Sequence, residues 1–333
     1  MAIQFDHVHA AHCESGAFAA LLRHHGLTLT ESMVFGIGSG LFFLFFPYLK
    51  MYGAPLVAYR DAPGLIISRC TRRLGVKMKK AQYSNQDEGM RALDAMLARD
   101  IPVGMQTGAF WLPYFPRSMR FQFNGHHIIA YGRDDDDYLI SDTVFEEVVR
   151  CPSDDLRRAR FSKGPLAPKG FLYHLESVDP QPDLANAVRD GIRSTVNRML
   201  RIPLPYMGVR GIRTLAKAMR GWPARIGEEK ARSWLANVIR MQEEIGTGGA
   251  GFRFMYAAFL DEAAAVLDKP ALRELSERLT ETGDQWREFS VRGARVIRNK
   301  DNSADVFEEL AAMLAGCAER EQSIFTDLRR VVS

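Results

Sequence analysis

The chain has 333 residues, 47% apolar and 25% charged, with a formal net charge of +4. That is the composition of a globular protein long enough for two domains, and the small positive excess gives no ground for a nucleic-acid partner. The four cysteines, Cys13, Cys70, Cys151 and Cys317, are too scattered for a metal knuckle or a disulfide framework. Free thiols, no metal, no cofactor and a reducing, cytoplasmic setting are therefore expected.

The opening Met-Ala-Ile-Gln-Phe-Asp-His has no basic n-region and no apolar h-region, so it does not read as a secretory signal. Residues 14–25 carry the i, i+3, i+4 apolar pattern of a half-buried helix, with Gly26 placed as its C-terminal stop. Cys13 stands at the N-terminal mouth of this helix. Unpaired backbone N–H groups and the helix dipole favour an anion there. A thiol so placed can have its pKa lowered from about 8.5 to roughly 3.5–7.5, which makes it a nucleophile near neutral pH. An inert buried thiol is the competing reading.

Thr30-Glu31 reads as the start of a short helix. Met33–Leu49 is uncharged, but it is short for a membrane span and is broken by Gly36, Gly38, Ser39, Gly40 and Pro47. It is expected to be protein interior, either plain core or the wall of an acyl-sized pocket. Its Gly-x-Gly-x-Gly lacks the third-glycine spacing and the following helix of a dinucleotide fingerprint. A helix is expected over 86–99, a strand over 101–107 and an irregular aromatic loop over 110–123. A hairpin of two strands, 125–132 and 138–142, turns at Arg133–Asp137, and a last strand covers 170–175. Asp179-Pro180-Gln181-Pro182-Asp183 reads as a linker. Helical periodicity then dominates at 183–200, 208–220, 228–245, 253–267, 271–298 and 303–330. Strands mixed with helices, followed by helices alone, indicate an α+β domain over 1–178 and an all-α domain over 179–333.

Cysteine hydrolases and acyltransferases need a thiolate, an imidazole and a group that orients the imidazole. His126 starts one hairpin strand and Asp142 ends the strand that returns beside it, so both lie at one end of the hairpin. His127 competes with His126 for the role of base. Side chains alternate along a strand, so only one of the two faces the thiol. Residues 191–227 carry Arg193, Arg198, Arg201, Arg210, Arg213, Lys217, Arg220 and Arg225 and no acid. Such a face steers acidic partners, or else packs through its arginine stems.

Cys13 at a helix start, His126-x-Ile-Ile-x-x-Gly132 and an aspartate 16 residues after that histidine resemble the papain-like fold of double-glycine leader peptidases. The segments His12-Cys13-Glu14-Ser15-Gly16-Ala17, Thr30 to Gly40 and Gly248 to Leu260 resemble the butirosin-biosynthesis acyltransferase family over nearly the whole chain. The resemblance implies a papain-like N-terminal domain, a helical C-terminal domain and bacterial natural-product biosynthesis. It implies transfer of an acyl group from the phosphopantetheine thioester of an acyl carrier protein, through acyl-Cys13, to a small-molecule amine. His126 then acts as base and Asp142 as orienter.

The leader peptidases place an oxyanion glutamine where this chain has His7; His7 or His9, and less well Gln4, are the available substitutes. Glu31, Arg253 and Tyr256 fall in family-like motifs, as a helix-start residue and as helix residues near substrate. The basic face is a candidate carrier-docking surface, and the helical half a candidate dimerisation surface. A cysteine peptidase or amidase using the same triad with water is the alternative activity; a binding module that keeps the fold is a third.

Overall fold

The computed structural model describes every residue except Met1, Tyr52, Ser118, Met119, Lys300–Ala304 and Ser333. The chain packs as two units: Met1–Val34 with Ile66–Asp183, and Phe35–Leu65 with Leu184–Ser333.

The first unit is built on a six-stranded antiparallel sheet. Its strands are β3 (Lys77–Ala81), β4 (Val103–Thr107), β5 (His126–Asp134), β6 (Asp137–Ser141), β7 (Val149–Pro152) and β8 (Leu172–Ser177), in the order β3-β8-β4-β5-β6-β7. The central strand β5 is buried from His126 through Ala130, so its apolar side chains run continuously rather than alternating with polar ones. One core packs Met105, Ile128, Ala130, Ile140 and Leu172 against Met90 and Leu93 of α4 (Gln86–Leu97) and Leu156 of α5 (Ser153–Arg160). Helix α4 begins where Asn85 Oδ1 accepts the Glu88 amide (3.0 Å), an ordinary N-cap. α1 (Cys13–His24) buries Ala17, Phe18, Leu21 and Leu22. α2 spans Glu31–Ile37 and α3 spans Leu65–Arg73. Gly16 lets α1 come close to Ala10 and Thr143: a Cβ at Gly16 would lie 2.6 Å from the Ala10 Cβ and 2.7 Å from the Thr143 hydroxyl.

The second unit joins the hairpin β1 (Leu41–Met51) and β2 (Ala54–Arg60) to helices α6 (Leu184–Leu200), α7 (Gly208–Arg220), α8 (Trp222–Ile226), α9 (Glu228–Glu243), α10 (Arg253–Val266), α11 (Ala271–Ile297) and α12 (Val306–Val332). The expected helices after the linker agree with these to within a few residues; positions 303 and 304 lie outside the described residues. Phe43 packs edge-on to Tyr59 and beside Trp286 of α11, which is why the hairpin joins the helices. Residues 35–65 therefore pack with the C-terminal helices, not with the first domain to which the sequence reading assigned them.

The glycine run also finds its explanation in this unit. A Cβ at Gly36 would lie 2.0 Å from the Phe259 ring, and one at Gly40 would lie 2.4 Å from Phe35, so both glycines serve close packing. Of the apolar stretch, Leu41, Phe43 and Phe45 are core, whereas Tyr48 and Leu49 are exposed. Among the described residues no helix is long and apolar enough to cross a membrane.

Candidate active site

Antiparallel pairing brings the functional side chains to one end of the first unit's sheet. β5 starts at His126, and β6 ends at Ser141, one residue before Asp142. His126 Nε2 donates to Asp142 Oδ2 at 2.7 Å, and both side chains are almost wholly buried. The other ring nitrogen is left for Cys13, to which His126 is hydrogen-bonded. Burial alone would strip the proton from this ring. The charges of Asp142 and Cys13 and the hydrogen bonds to both outweigh burial and push its pKa up to about 10. Cys13 itself is the first residue of α1 and is buried, and His12 caps the helix through Nδ1, which accepts from Ser15.

His127 lies on the opposite side of the strand from His126, with the Tyr173 hydroxyl 3.5 Å from its Nδ1. The ring that meets both Cys13 and Asp142 is that of His126.

Three supports were not foreseen from the sequence. Tyr114 donates to Asp142 Oδ2 at 3.0 Å, and burial together with the Asp142 charge raises its pKa well above the tyrosine value, so it stays a donor. The Val144 amide donates to Asp142 Oδ1 at 3.3 Å. Phe115 stands edge-on to the His126 ring, with centroids 5.3 Å apart. Tyr114 and Phe115 come from the irregular loop, where no periodicity marks them.

Glu31 has a definite role. Its carboxylate oxygens accept the amides of Ala11 and His12, each at 3.1 Å, and so clamp the two residues that lead into Cys13. Burial raises its pKa, partly offset by those two hydrogen bonds and by His9. Glu31 therefore holds the backbone that leads into Cys13. Ala10 N donates to the Thr143 carbonyl at 2.6 Å, tying the same segment to the residue after Asp142. The buried Glu14 caps α3 by accepting the Ile66 and Ile67 amides at 3.1 and 3.2 Å.

Other sequence candidates are placed elsewhere. His7 Nε2 donates to the Phe145 carbonyl (3.0 Å), so its Nδ1 accepts from Ser141 Oγ (2.8 Å), and neither nitrogen is available as an oxyanion donor. His9 is exposed. Arg253 is fully buried in the second unit, paired with the equally buried Glu321 at 2.9 Å and lying over the Trp286 ring. Tyr256 is buried in the same unit. Arg253 and Tyr256 are thus interior residues rather than substrate contacts. Of the basic face, Arg198 binds Asp61 and the Ser39 carbonyl (2.6 Å each), and Arg193 donates to the Val332 carbonyl (2.9 Å). Arg201, Arg210, Arg213 and Lys217 are exposed. At the hairpin tip Asp134 pairs with Arg150 (2.6 Å). Among the described residues no His, Cys, Asp and Glu cluster could hold a metal.

Residues 12–143 match the family described as butirosin biosynthesis protein H, N-terminal. Residues 154–328, more than half of the chain, match the domain of unknown function DUF4872. The chain belongs to the family of butirosin biosynthesis protein H-like proteins. The first match contains Cys13, Glu31, His126 and Asp142, and the second begins in α5 and runs into α12. A solved structure similar to this chain is that of a putative C39-like peptidase from Bacillus anthracis, with 12% sequence identity and a TM-score of 0.37, covering 54% of this chain and 98% of that one. No curated protein matches. The α+β unit, with a cysteine-headed helix packed on an antiparallel sheet that carries the histidine and the aspartate, is the papain-like arrangement expected from the sequence.

Proposed function

We propose that the protein is a cysteine-dependent acyltransferase of biosynthetic metabolism, taking an acyl group from a carrier-protein phosphopantetheine thioester to an amine. The convergence of Cys13, His126 and Asp142 carries this reading. Family membership supports transfer as the chemistry.

In this mechanism His126 takes the proton of Cys13, with Asp142 facing the imidazolium. Cys13 Sγ attacks the thioester carbonyl carbon, and the resulting oxyanion sits at the N-terminus of α1, where the Cys13 amide is one donor. Collapse breaks the bond to the arm's sulfur, which leaves as a thiol with the proton from His126. The acyl group is then a thioester on Cys13, an exchange near neutral in energy that needs no ATP and no metal. The amine attacks that thioester, His126 takes its proton, and the amide departs as Cys13 is restored. The exposed Arg201, Arg210, Arg213 and Lys217 offer an acidic carrier a complementary charge.

The test is intact-mass detection of acyl transfer from an acylated carrier protein. The reading expects one acyl adduct on the parent chain, its discharge on adding an amine, and no adduct on Cys13→Ala. An adduct that persists in Cys13→Ala overturns it. Cleavage of peptides without a carrier, with no adduct discharged by amines, would assign the triad to hydrolysis instead.

A further inference from the structure

A second feature at the triad's end of the sheet has no role in the mechanism above. It is a cavity of about 330 Å³ whose walls include Tyr83, Ser84, Phe161, Ser162, Lys163 and Lys169, with no acidic residue lining it. We propose that this cavity binds the phosphate of the donor's phosphopantetheine arm, with Lys163 and Lys169 as its counter-charges. The proposal rests on the acyl-transfer reading and names the subsite that reading requires.

Three observations support it. The first is position. Thr107 at the end of β4 pairs with His126, Met105 pairs with Leu172 at the start of β8, and Leu172 pairs with Ala81 at the end of β3. Tyr83 and Ser84 follow β3, and residues 161–169 precede β8, so the cavity opens at the same end as His126. With the order β3-β8-β4-β5, the cavity lies two to three strand spacings from His126, ~10–14 Å at about 4.8 Å per strand. From its sulfur to its phosphorus the pantetheine arm has about thirteen bonds, which at ~3.5 Å per three bonds span ~15 Å extended. The extended arm is thus as long as the in-sheet separation of the cavity from His126.

The second is rigidity. Asn124, two residues before His126, donates through Nδ2 to the carbonyls of Lys163 (3.1 Å) and Pro165 (2.9 Å) and accepts from Ser162 Oγ (2.7 Å). The Tyr83 amide donates to the Lys169 carbonyl at 3.2 Å. The lysine loop is thus fixed to the strand that carries the catalytic base. Gly170 (φ +65°) packs closely behind the wall, since a Cβ there would lie 2.6 Å from the Phe161 ring and 2.8 Å from the Tyr83 carbonyl.

The third is chemistry. Two ammonium groups and the Ser84 hydroxyl suit a phosphate, and the Tyr83 and Phe161 rings suit the branched apolar carbons next to it in the arm. The four-carbon stems of Lys163 and Lys169 let both charges turn toward one anion.

The test compares the 2-pyridyl mixed disulfides of pantetheine and of 4′-phosphopantetheine, which need no knowledge of the acyl group. The Cys13 thiolate attacks the pantetheine sulfur, a Cys13–pantetheine disulfide forms, and the probe's own S–S bond breaks to release pyridine-2-thione, which is read by absorbance. The phosphorylated probe is expected to react about tenfold faster, equivalent to ~1.4 kcal/mol. The double variant Lys163→Gln/Lys169→Gln should lower its rate to that of the unphosphorylated probe and leave the latter's rate unchanged. Equal rates on the parent chain, or a phosphate preference that survives the double variant, overturn the proposal. A coenzyme A probe tenfold faster again overturns a carrier-borne arm in favour of the free coenzyme. Calorimetry of 4′-phosphopantetheine on Cys13→Ala separates the two readings. Binding there without reaction at Cys13 in the parent keeps the cavity and removes the nucleophile; reaction without phosphate preference does the reverse.

Discussion

Replacing Asp142 by Asn keeps the side chain's shape and removes its charge. In the parent chain burial opposes the His126 imidazolium, and the Asp142 carboxylate at 2.7 Å, together with Cys13, overcomes burial and places the pKa at about 10, against an ordinary 6.5. Without the carboxylate, burial regains weight, and the ring is expected to titrate at least about two pH units lower, a loss of ~2.7 kcal/mol of imidazolium stabilisation. NMR of the 15N-labelled histidine ring reads this directly. The parent's His126 should stay protonated to pH 9, and the variant's should titrate well below that. A raised native pKa stabilises the fold fully below about 6.5, and that stabilisation is lost as pH rises through about 10. Urea unfolding should therefore separate parent and variant most at pH 6 and least above pH 10. An unchanged His126 midpoint in Asp142→Asn would refute the reasoning, because Asp142 would then not be what holds the proton.

Two further outcomes are expected. Glu31→Gln leaves only one acceptor oxygen for the Ala11 and His12 amides, so one hydrogen bond worth ~1 kcal/mol or more is lost. Alkylation of Cys13 should slow severalfold while the His126 titration stays in place, and an unaltered alkylation rate would remove the positioning role. Glu321→Gln leaves the Arg253 guanidinium buried without its counter-charge and should cost ~3–5 kcal/mol. Thermal unfolding should report this loss, with the activity per folded molecule retained at low temperature; an unshifted melting temperature would contradict the assignment of Arg253 to the interior.

Much of this was legible in the residues because period and punctuation agree. The helices after the linker show a 3.6-residue apolar stripe, and β5 shows a continuous apolar run, so both read directly. The hairpin also fixed the relation of His126 to Asp142, since antiparallel return places a strand's start beside its partner's end. What escaped was set by tertiary packing. The five-residue β3 has three lysines and little apolar signal, and it exists because it pairs with β8. Residues 35–65 read as interior, but nothing local could say whose interior; the Phe43, Tyr59 and Trp286 contacts decide that. The glycine run lacks the spacing of a dinucleotide fingerprint, but only the packing shows that it makes room for Phe259 and Phe35. At the site, Tyr114 and the Glu31 clamp are long-range hydrogen bonds, and neither spacing nor composition encodes them. His7 sat at the expected sequence position, but its two nitrogens are taken by Ser141 and Phe145.

In the proposed mechanism Cys13 attacks with His126 as its base, so it should react ahead of the other three thiols. The most direct measurement is site-resolved iodoacetamide labelling at pH 6, followed by peptide mass spectrometry. Burial raises the pKa of Cys70 and pushes those of Cys151 and Cys317 up to about 12, so these thiols should stay unlabelled. Cys13 should label first by a wide margin and lose that lead in His126→Ala. Labelling of Cys13 no faster than of the other three, or a lead untouched by His126→Ala, would contradict the role of His126 as the base of Cys13.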